Sequence, residues 1–385
     1  AYDFDGRDWS SDVCSSDLSE NIALAVGIPI QVSGKIYNCA AFVANGRGVG
    51  ICPKTFLPNA NEFYEKRWFT SAQECPVDEI EWNGQKIPFG RDLLFRANGY
   101  KDCLVGIEIC EDLWAPCAPS VEMAMQGATI LLNLSASNEV LGKLDYRSLL
   151  IKAQSGRCLC AYAYASAGPG ESTTDLVFSG DSMIAENGAL LAQTERYSFE
   201  SQMAIAEVDV QRLLHERIKS SSFAQSRPFG KCRTIPFDLV DRPVGKPYRS
   251  ISPFPFVPFR VEERSERCKE IFAMQTTALS RRIKNIASSC SVIGVSGGLD
   301  STLALLVAVK TFDRLGLPRK KILAVTMPGF GTTQRTRSNA ENLSQRLGVS
   351  LRVVPIGKAV EQHFHDIGHD PADRKSTRLN SSHVS

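Results

Sequence analysis

The segment Cys103-Leu-Val-Gly-Ile-Glu-Ile-Cys110-Glu-Asp-Leu-Trp114 limits the fold of this chain more than any other stretch. A short apolar run ends in a cysteine flanked by Glu108, Glu111 and Asp112. Such a run reads as a buried strand, and strands present reactive groups at their carboxyl ends, where the chain turns into a cleft. A thiol needs a neighbouring cation or base to ionise at neutral pH. From this segment alone Cys110 is either a nucleophile or one more small buried thiol, which is what most cysteines are.

The rest of the sequence supplies the layers. An apolar run from Ile22 to Ile30 is followed by Ile36 to Val43, with a turn at Ser33-Gly34 between them. Asn45-Gly46 is a second turn signal, and Gly48 to Cys52 a third short strand. The spacing predicts turns and short strands over 79–92, a strand at Leu93–Phe95 and a short helix over 119–126. Ala128 to Ser137 reads as a buried strand with a polar end, and 146–156 as a helix. Cys158 to Ala165 is expected to be a strand with Cys158 and Cys160 on one face, 175–194 a hairpin around Glu186-Asn187-Gly188, and 204–210 a closing strand. Strand–helix alternation mixed with hairpins predicts a layered α/β domain with a mixed sheet.

Seven of the 19 prolines fall within 227–258, which reads as an extended linker. Beyond it, a helix over about 262–286 precedes a β-α-β-α-β pattern: strands at 291–295, 321–327 and 351–356, with helices over 303–314 and 333–347. This is half of a doubly wound parallel sheet. Its first turn, Gly294-Val295-Ser296-Gly297-Gly298-Leu299-Asp300-Ser301, has the composition of a phosphate cradle. The glycines allow a tight backbone, Ser296, Ser301 and Thr302 add hydroxyls, and the helix N-terminus favours an anion. Asp300 would repel phosphate unless Mg²⁺ lies between them. The loop lacks the lysine of a Walker motif and fails the G-x-G-x-x-G pattern.

Bulk properties narrow the partners. A chain of 385 residues with a net charge of +2 gives no reason to expect nucleic acid or a membrane surface. The twelve cysteines show no metal-ligand spacing, and with no secretory segment or long apolar run a reduced cytoplasm is the expected compartment. Residues 1–18 and 374–385 are polar and patternless, and resemble translated sequencing adapter. On that reading the natural chain continues past both ends. The expected organisation is a tail over 1–18, a first domain over 19–226, the linker over 227–258, a second domain over 259–373 and a tail over 374–385.

Gly294-Val-Ser-Gly-Gly-Leu-Asp-Ser301 resembles the PP-loop of ATP pyrophosphatases, and the first domain resembles the nitrilase superfamily. The combination is similar to the glutamine-dependent NAD⁺ synthetases. The similarity runs through Pro53-Lys54-Thr-Phe-Leu-Pro58, Glu62-Phe-Tyr-Glu65, Glu108-Ile-Cys110-Glu-Asp112, Asn133-Leu-Ser-Ala-Ser137, Gly170-Glu-Ser-Thr-Thr-Asp175 and Met327-Pro-Gly-Phe330. The resemblance implies an α-β-β-α sandwich followed by a Rossmann-like PP-loop domain. It implies Cys110 as nucleophile, Lys54 as the cation for the oxyanion, and Glu62 as a supporting carboxylate that orients Lys54. Glu111, Ser137 and Lys143 fall on glutamine-contacting positions, where Lys143 replaces an arginine. ATP and Mg²⁺ are implied at residues 294–301, with Asp300 on the metal, and deamido-NAD⁺ as the acceptor. A homo-oligomer is implied for the complete protein. The family's general base sits in a Phe-Pro-Glu segment that has no counterpart here. Two alternatives stay open: a nitrilase-type amidase joined to a different PP-loop ligase, and a fragment without catalytic activity.

Overall fold

Two-residue turns fix the strand register of the first unit. Ser33-Gly34 (φ 51° and 75°), Asn45-Gly46 (49° and 71°), Asn83-Gly84 (50° and 71°) and Asn187-Gly188 (46° and 83°) each place two successive residues at positive φ. That geometry matches the twist of paired strands, and glycine with asparagine adopts it at least cost. In this computed structural model the described residues are 22–369 other than 101, 174, 240–244, 250 and 331. The proposed tails at 1–18 and 374–385 lie outside them. The chain divides into two compact units, Ala1–Ile251 and Ser252–Ser385.

In the first unit β1 (Ala23–Val32), β2 (Lys35–Ala44) and β3 (Arg47–Pro53) form an antiparallel sheet. A hairpin of β4 (Glu79–Trp82) and β5 (Gln85–Pro88) follows. The larger sheet comprises β6 (Leu93–Asn98), β7 (Leu104–Ile109), β8 (Ile130–Ser135), β9 (Ala161–Ser166), β10 (Met183–Glu186), β11 (Ala189–Gln193) and β12 (Arg233–Asp238). Its spatial order is β11-β10-β9-β8-β7-β6-β12, parallel through β7, β8 and β9 and antiparallel at the β6–β7 and β9–β10 pairs.

Every residue of β7 is buried, as expected for a strand covered on both faces. One face of the large sheet carries α1 (Pro119–Met125) and α2 (Lys143–Cys158), with Leu113, Met123, Leu131, Ile151 and Tyr162 between them. The other face meets the small sheet through Phe42, Cys52, Phe95, Ile107 and Phe237. Among the described residues, the outer side of the small sheet is covered by the β4–β5 hairpin and its approach, through Tyr37, Ile51, Ile87 and Phe89. Helices α3 (Val210–Lys219) and α4 (Ser221–Gln225) follow β11.

Three expectations are corrected. Cys158 and Cys160 are not on a strand: Cys158 ends α2, Leu159 turns at φ 46°, and Cys160 precedes β9. The buried Arg217 guanidinium pins this turn by donating to the carbonyls of Cys158 (3.1 Å) and Leu159 (3.0 Å). Residues 204–209 form no strand, and Val210 opens α3. The proline-rich stretch is not all linker, because β12 within it pairs in parallel with β6. Pro236 is tolerated there because β12 is an edge strand, with no neighbour needing its missing N–H. Arg233 anchors this strand with two bonds to Asp92 (2.7 and 2.8 Å).

The second unit opens with α5 (Val261–Asn285) and continues as β13 (Ser291–Gly294), α6 (Leu299–Leu315), β14 (Ile322–Thr326), α7 (Gln334–Leu347), β15 (Ser350–Val353) and α8 (Gly357–Asp366). The three strands are parallel in the order β13-β14-β15. Ile283, Leu305, Val309, Phe312, Ile322, Ala324 and Ala340 form its core. No described helix is long and apolar enough to cross a membrane.

Candidate active site and phosphate loop

Cys110 stands at the carboxyl end of β7, where a 3-10 turn over Cys110–Leu113 begins. Its φ is +46°, a left-handed conformation that non-glycine residues rarely adopt. A strained residue between a strand and a helical turn lifts its side chain out of the sheet, the geometry of a nucleophile elbow. The backbone N–H of Cys110 donates to Asn133 Oδ1 (3.1 Å), at the end of the adjacent β8.

Lys54 follows β3 and is buried, at 3% exposure. Its Nζ lies 2.5 Å from Glu65 Oε2, while Asn38 Nδ2 donates to the other oxygen of Glu65 at 2.6 Å. This corrects the expected role of Glu62. Glu62 instead accepts from Asn138 Nδ2 at 2.7 Å, and Lys143 Nζ donates to the Oδ1 and the backbone carbonyl of the same Asn138, both at 2.9 Å. Glu62 therefore braces the Asn138–Lys143 corner, and Glu65 orients Lys54. Both glutamates belong to one four-residue motif, so nothing in the sequence separates their roles.

Asp112 joins the strand ends that carry Lys54 and Cys110. One carboxylate oxygen accepts from the N–H groups of Thr55 (3.1 Å) and Phe56 (2.7 Å), directly after Lys54, and the other from Ile109 (3.0 Å), directly before Cys110. Burial pushes its pKa up to about 7, opposed by the Ile109 and Phe56 N–H groups and by the Lys54 charge. Sequence reading placed Asp112 beside the cysteine without assigning it a role.

The expected glutamine-contacting residues gather at the same end of the sheet. Lys143 opens α2, with its ammonium 5.4 Å from the Trp114 ring centroid and 5.9 Å from that of Phe63. Burial pushes its pKa down, whereas Cys110 and Glu62 push it up, so Lys143 lies within electrostatic reach of the thiol. Glu111 is half-buried; burial raises its pKa against the lowering charges of Lys54 and Lys143. Ser137 is buried beside the Tyr164 hydroxyl, which donates to Ser135 Oγ at 2.6 Å. A cleft of about 670 Å³ beside this turn is lined by Thr55, Phe56, Glu111 and Trp114.

In the second unit the candidate phosphate loop joins β13 to α6. Gly297 has φ +84°, and a Cβ there would lie 2.0 Å from the Thr336 carbonyl oxygen at the start of α7. Only glycine fits this contact. Ser296 Oγ and Ser301 Oγ lie 3.1 Å apart, Ser301 Oγ donates to the Gly298 carbonyl (3.1 Å), and Asp300 is in the first turn of α6. Of the eight expected loop residues, Val295 does not face an anion: it is buried and spends its N–H on the Val325 carbonyl (2.8 Å). Gly294, Ser296, Gly298, Leu299, Asp300 and Ser301 are brought together with Gly297 around the strand–helix turn.

Residues 18–214 match the carbon-nitrogen hydrolase family model, and residues 271–381 match the NAD synthase model. The glutamine-dependent NAD(+) synthetase of Mycobacterium tuberculosis (strain ATCC 25618 / H37Rv) is 41% identical over 90% of this chain and 52% of its own length. That of Mycobacterium leprae (strain TN) is 41% identical over 93% of this chain and 53% of its own. The Aquifex aeolicus (strain VF5) protein of the same name is 28% identical over 90% and 54%. The chain thus spans about half the length of the curated relatives it matches. A solved glutamine-dependent NAD(+) synthetase from Cytophaga hutchinsonii aligns at 21% identity over 92% of this chain and 58% of its own, with a TM-score of 0.42. The chain belongs to the carbon-nitrogen hydrolase family, and carries behind that domain a segment matching NAD synthase.

Proposed function

We propose that this chain contains the glutaminase domain and the PP-loop part of a glutamine-dependent NAD⁺ synthetase. The observation that carries the reading is the Asp112 clamp, which ties the strained Cys110 turn to the Lys54 strand end in a domain of the carbon-nitrogen hydrolase family. The Cys110 thiolate attacks the side-chain amide carbon of glutamine, and Lys54 balances the developing oxyanion. As the tetrahedral adduct collapses, the proton given up by the Cys110 thiol passes to the amide nitrogen, the carbon–nitrogen bond breaks and ammonia leaves; water then hydrolyses the thioester, giving glutamate and returning a proton to the thiolate. Lys143, Ser137 and Glu111 hold the amino-acid end of the substrate.

In the second unit the 294–301 loop cradles the ATP phosphates, and the acceptor is deamido-NAD⁺. The open hydroxyls of Ser296 and Ser301 and the glycine-tight turn fit a triphosphate. Asp300 supplies one carboxylate, so a Mg²⁺ held there would take its remaining ligands from phosphate and water. When bound, that ion neutralises phosphate charge.

The test is nitrogen transfer in the complete protein. A glutamine-analogue chloroketone labels Cys110 stoichiometrically, and Cys110→Ala abolishes glutamine-driven NAD⁺ formation while ammonia-driven formation persists. Loss of both activities in a folded Cys110→Ala protein would sink the division of labour.

A further inference from the structure

Behind Cys110 lies a row of fully buried polar groups on three adjacent strands: Glu108 on β7, Asn133 on β8 and Tyr162 on β9. None would touch substrate, and buried polar groups carry a cost unless every donor meets an acceptor. Here they do. Ser120 N–H donates to Glu108 Oε2 at 2.8 Å and the Tyr162 hydroxyl donates to Glu108 Oε1; burial pushes the Glu108 carboxyl up, and these bonds, with those from the Ser120 and Asn133 side chains, favour its ionised form. Asn133 Nδ2 donates to the Tyr162 oxygen at 3.1 Å, and Asn133 Oδ1 accepts from Cys110 N–H at 3.1 Å.

The proton inventory gives the row a direction. Tyr162 has one hydroxyl proton, and burial together with the Glu108 charge pushes its pKa well above that of an ordinary phenol, so the proton stays. Spent on Glu108, that proton leaves the oxygen only to accept. Asn133 must therefore turn its NH₂ towards Tyr162 and its carbonyl towards Cys110 N–H. We propose that Glu108, Tyr162 and Asn133 form a polarity relay that holds the Cys110 backbone in its left-handed conformation, with all three acting as positioning residues for the nucleophile. The inference rests on the reading of Cys110 as nucleophile.

Substitutions that change polarity but not shape test it. In Glu108→Gln the introduced amide must keep its oxygen on Ser120 N–H and turn its NH₂ towards Tyr162. Tyr162 then accepts there and donates to Asn133, whose carbonyl swings round and leaves NH₂ facing Cys110 N–H, donor against donor. In Asn133→Asp an added carboxylate lies beside Glu108. In the double variant the introduced carboxylate accepts from both Tyr162 and Cys110, and the relay is complete with its direction reversed. Packing alone predicts no such rescue.

Two readouts are taken on the full chain: glutamine hydrolysis, and iodoacetamide labelling of Cys110 followed by mass spectrometry against the exposed Cys268 and Cys290. We expect each single variant to lower kcat about 10- to 100-fold, as a nucleophile displaced by about 1 Å should, with KM little changed. The Cys110 labelling rate shifts relative to Cys268, and the double variant recovers most of both losses. A double variant no better than the worse single, or a Glu108→Gln protein with unchanged kcat and labelling, would overturn the relay. If a single variant does not fold, Tyr162→Phe replaces it: unchanged labelling and kcat there also overturn the proposal, and a loss in kcat with KM retained supports it. If the unmodified protein hydrolyses no glutamine, the labelling series alone decides the relay, and it is failure of the glutamine-analogue chloroketone to label Cys110 that overturns the nucleophile reading.

Discussion

Lys54 is held by Glu65, with Nζ 2.5 Å from Oε2, and Glu62 is turned away to Asn138. A buried ammonium in direct contact with a carboxylate is fixed in position, and its remaining N–H bonds point where the bound carboxylate dictates. Glu65→Gln should therefore lower kcat for glutamine hydrolysis by about 100-fold or more, the scale of losing one oxyanion donor. Glu62→Gln should act more weakly and mainly through KM, because it reaches the site through Asn138 and Lys143. Steady-state kinetics on the two variants checks the order, and a larger kcat loss from Glu62→Gln would return the Lys54-orienting role to Glu62.

Lys143 lies between the Trp114 and Phe63 rings and donates twice to Asn138, so two of its three N–H bonds are already committed. The third is left for an anionic substrate group. Lys143→Met should raise KM for glutamine by about 10-fold or more, the loss of a charge-assisted hydrogen bond, with a smaller change in kcat. Lys143→Arg should retain most of the affinity. Equal KM values for the two variants would remove Lys143 from the binding set.

Much of this was legible in the sequence, for identifiable reasons. The hairpin turns carry residues that tolerate positive φ, so Ser33-Gly34, Asn45-Gly46 and Asn187-Gly188 locate the strands around them. Cys110 and the glycine loop stand out because a cysteine among carboxylates after an apolar run, and a Gly/Ser turn between strand and helix, are unusual residue types at those places, whereas Lys54 is marked only by the family resemblance. What stayed hidden depends on tertiary contact. Glu62 and Glu65 differ only in which way a turn aims them, and β12 is a strand only because β6 offers it an edge. Asn133 and Tyr162 look like ordinary members of buried strands until the neighbouring strand supplies their hydrogen-bond partners.

Asp112 links the active site to pH. Its carboxyl ionises near 4 in an unfolded chain, and burial moves it up to about 7 in the fold. Between those values the folded protein holds more protons than the unfolded one, so stability falls as pH rises from about 4 to 7 and is greatest, for this group, below that window. Asp112→Asn should flatten that part of the curve. It should also cost about 1–3 kcal/mol at pH 8, where Asp112 is ionised, because one side of an amide cannot accept the N–H bonds that the carboxylate takes. Urea unfolding of both proteins from pH 4 to 8 measures this. A variant with the same pH slope as the parent would show that another group sets it.

Gly297 makes the second unit testable on its own terms. Its φ of +84° already disfavours any side chain, and a Cβ would sit 2.0 Å from the Thr336 carbonyl oxygen, well inside contact distance. That neighbour is backbone at the start of α7 and cannot rotate away, so Gly297→Ala must move either the loop or the helix. The local cost should be about 1–3 kcal/mol, and the displaced N–H groups should weaken ATP binding by about 10-fold or more. The first unit has its own core, so glutamine hydrolysis at Cys110 should persist in the variant. Calorimetric titration with ATP alongside a glutaminase assay separates the two effects. Undiminished ATP affinity in Gly297→Ala would mean that the nucleotide is held somewhere other than the 294–301 turn.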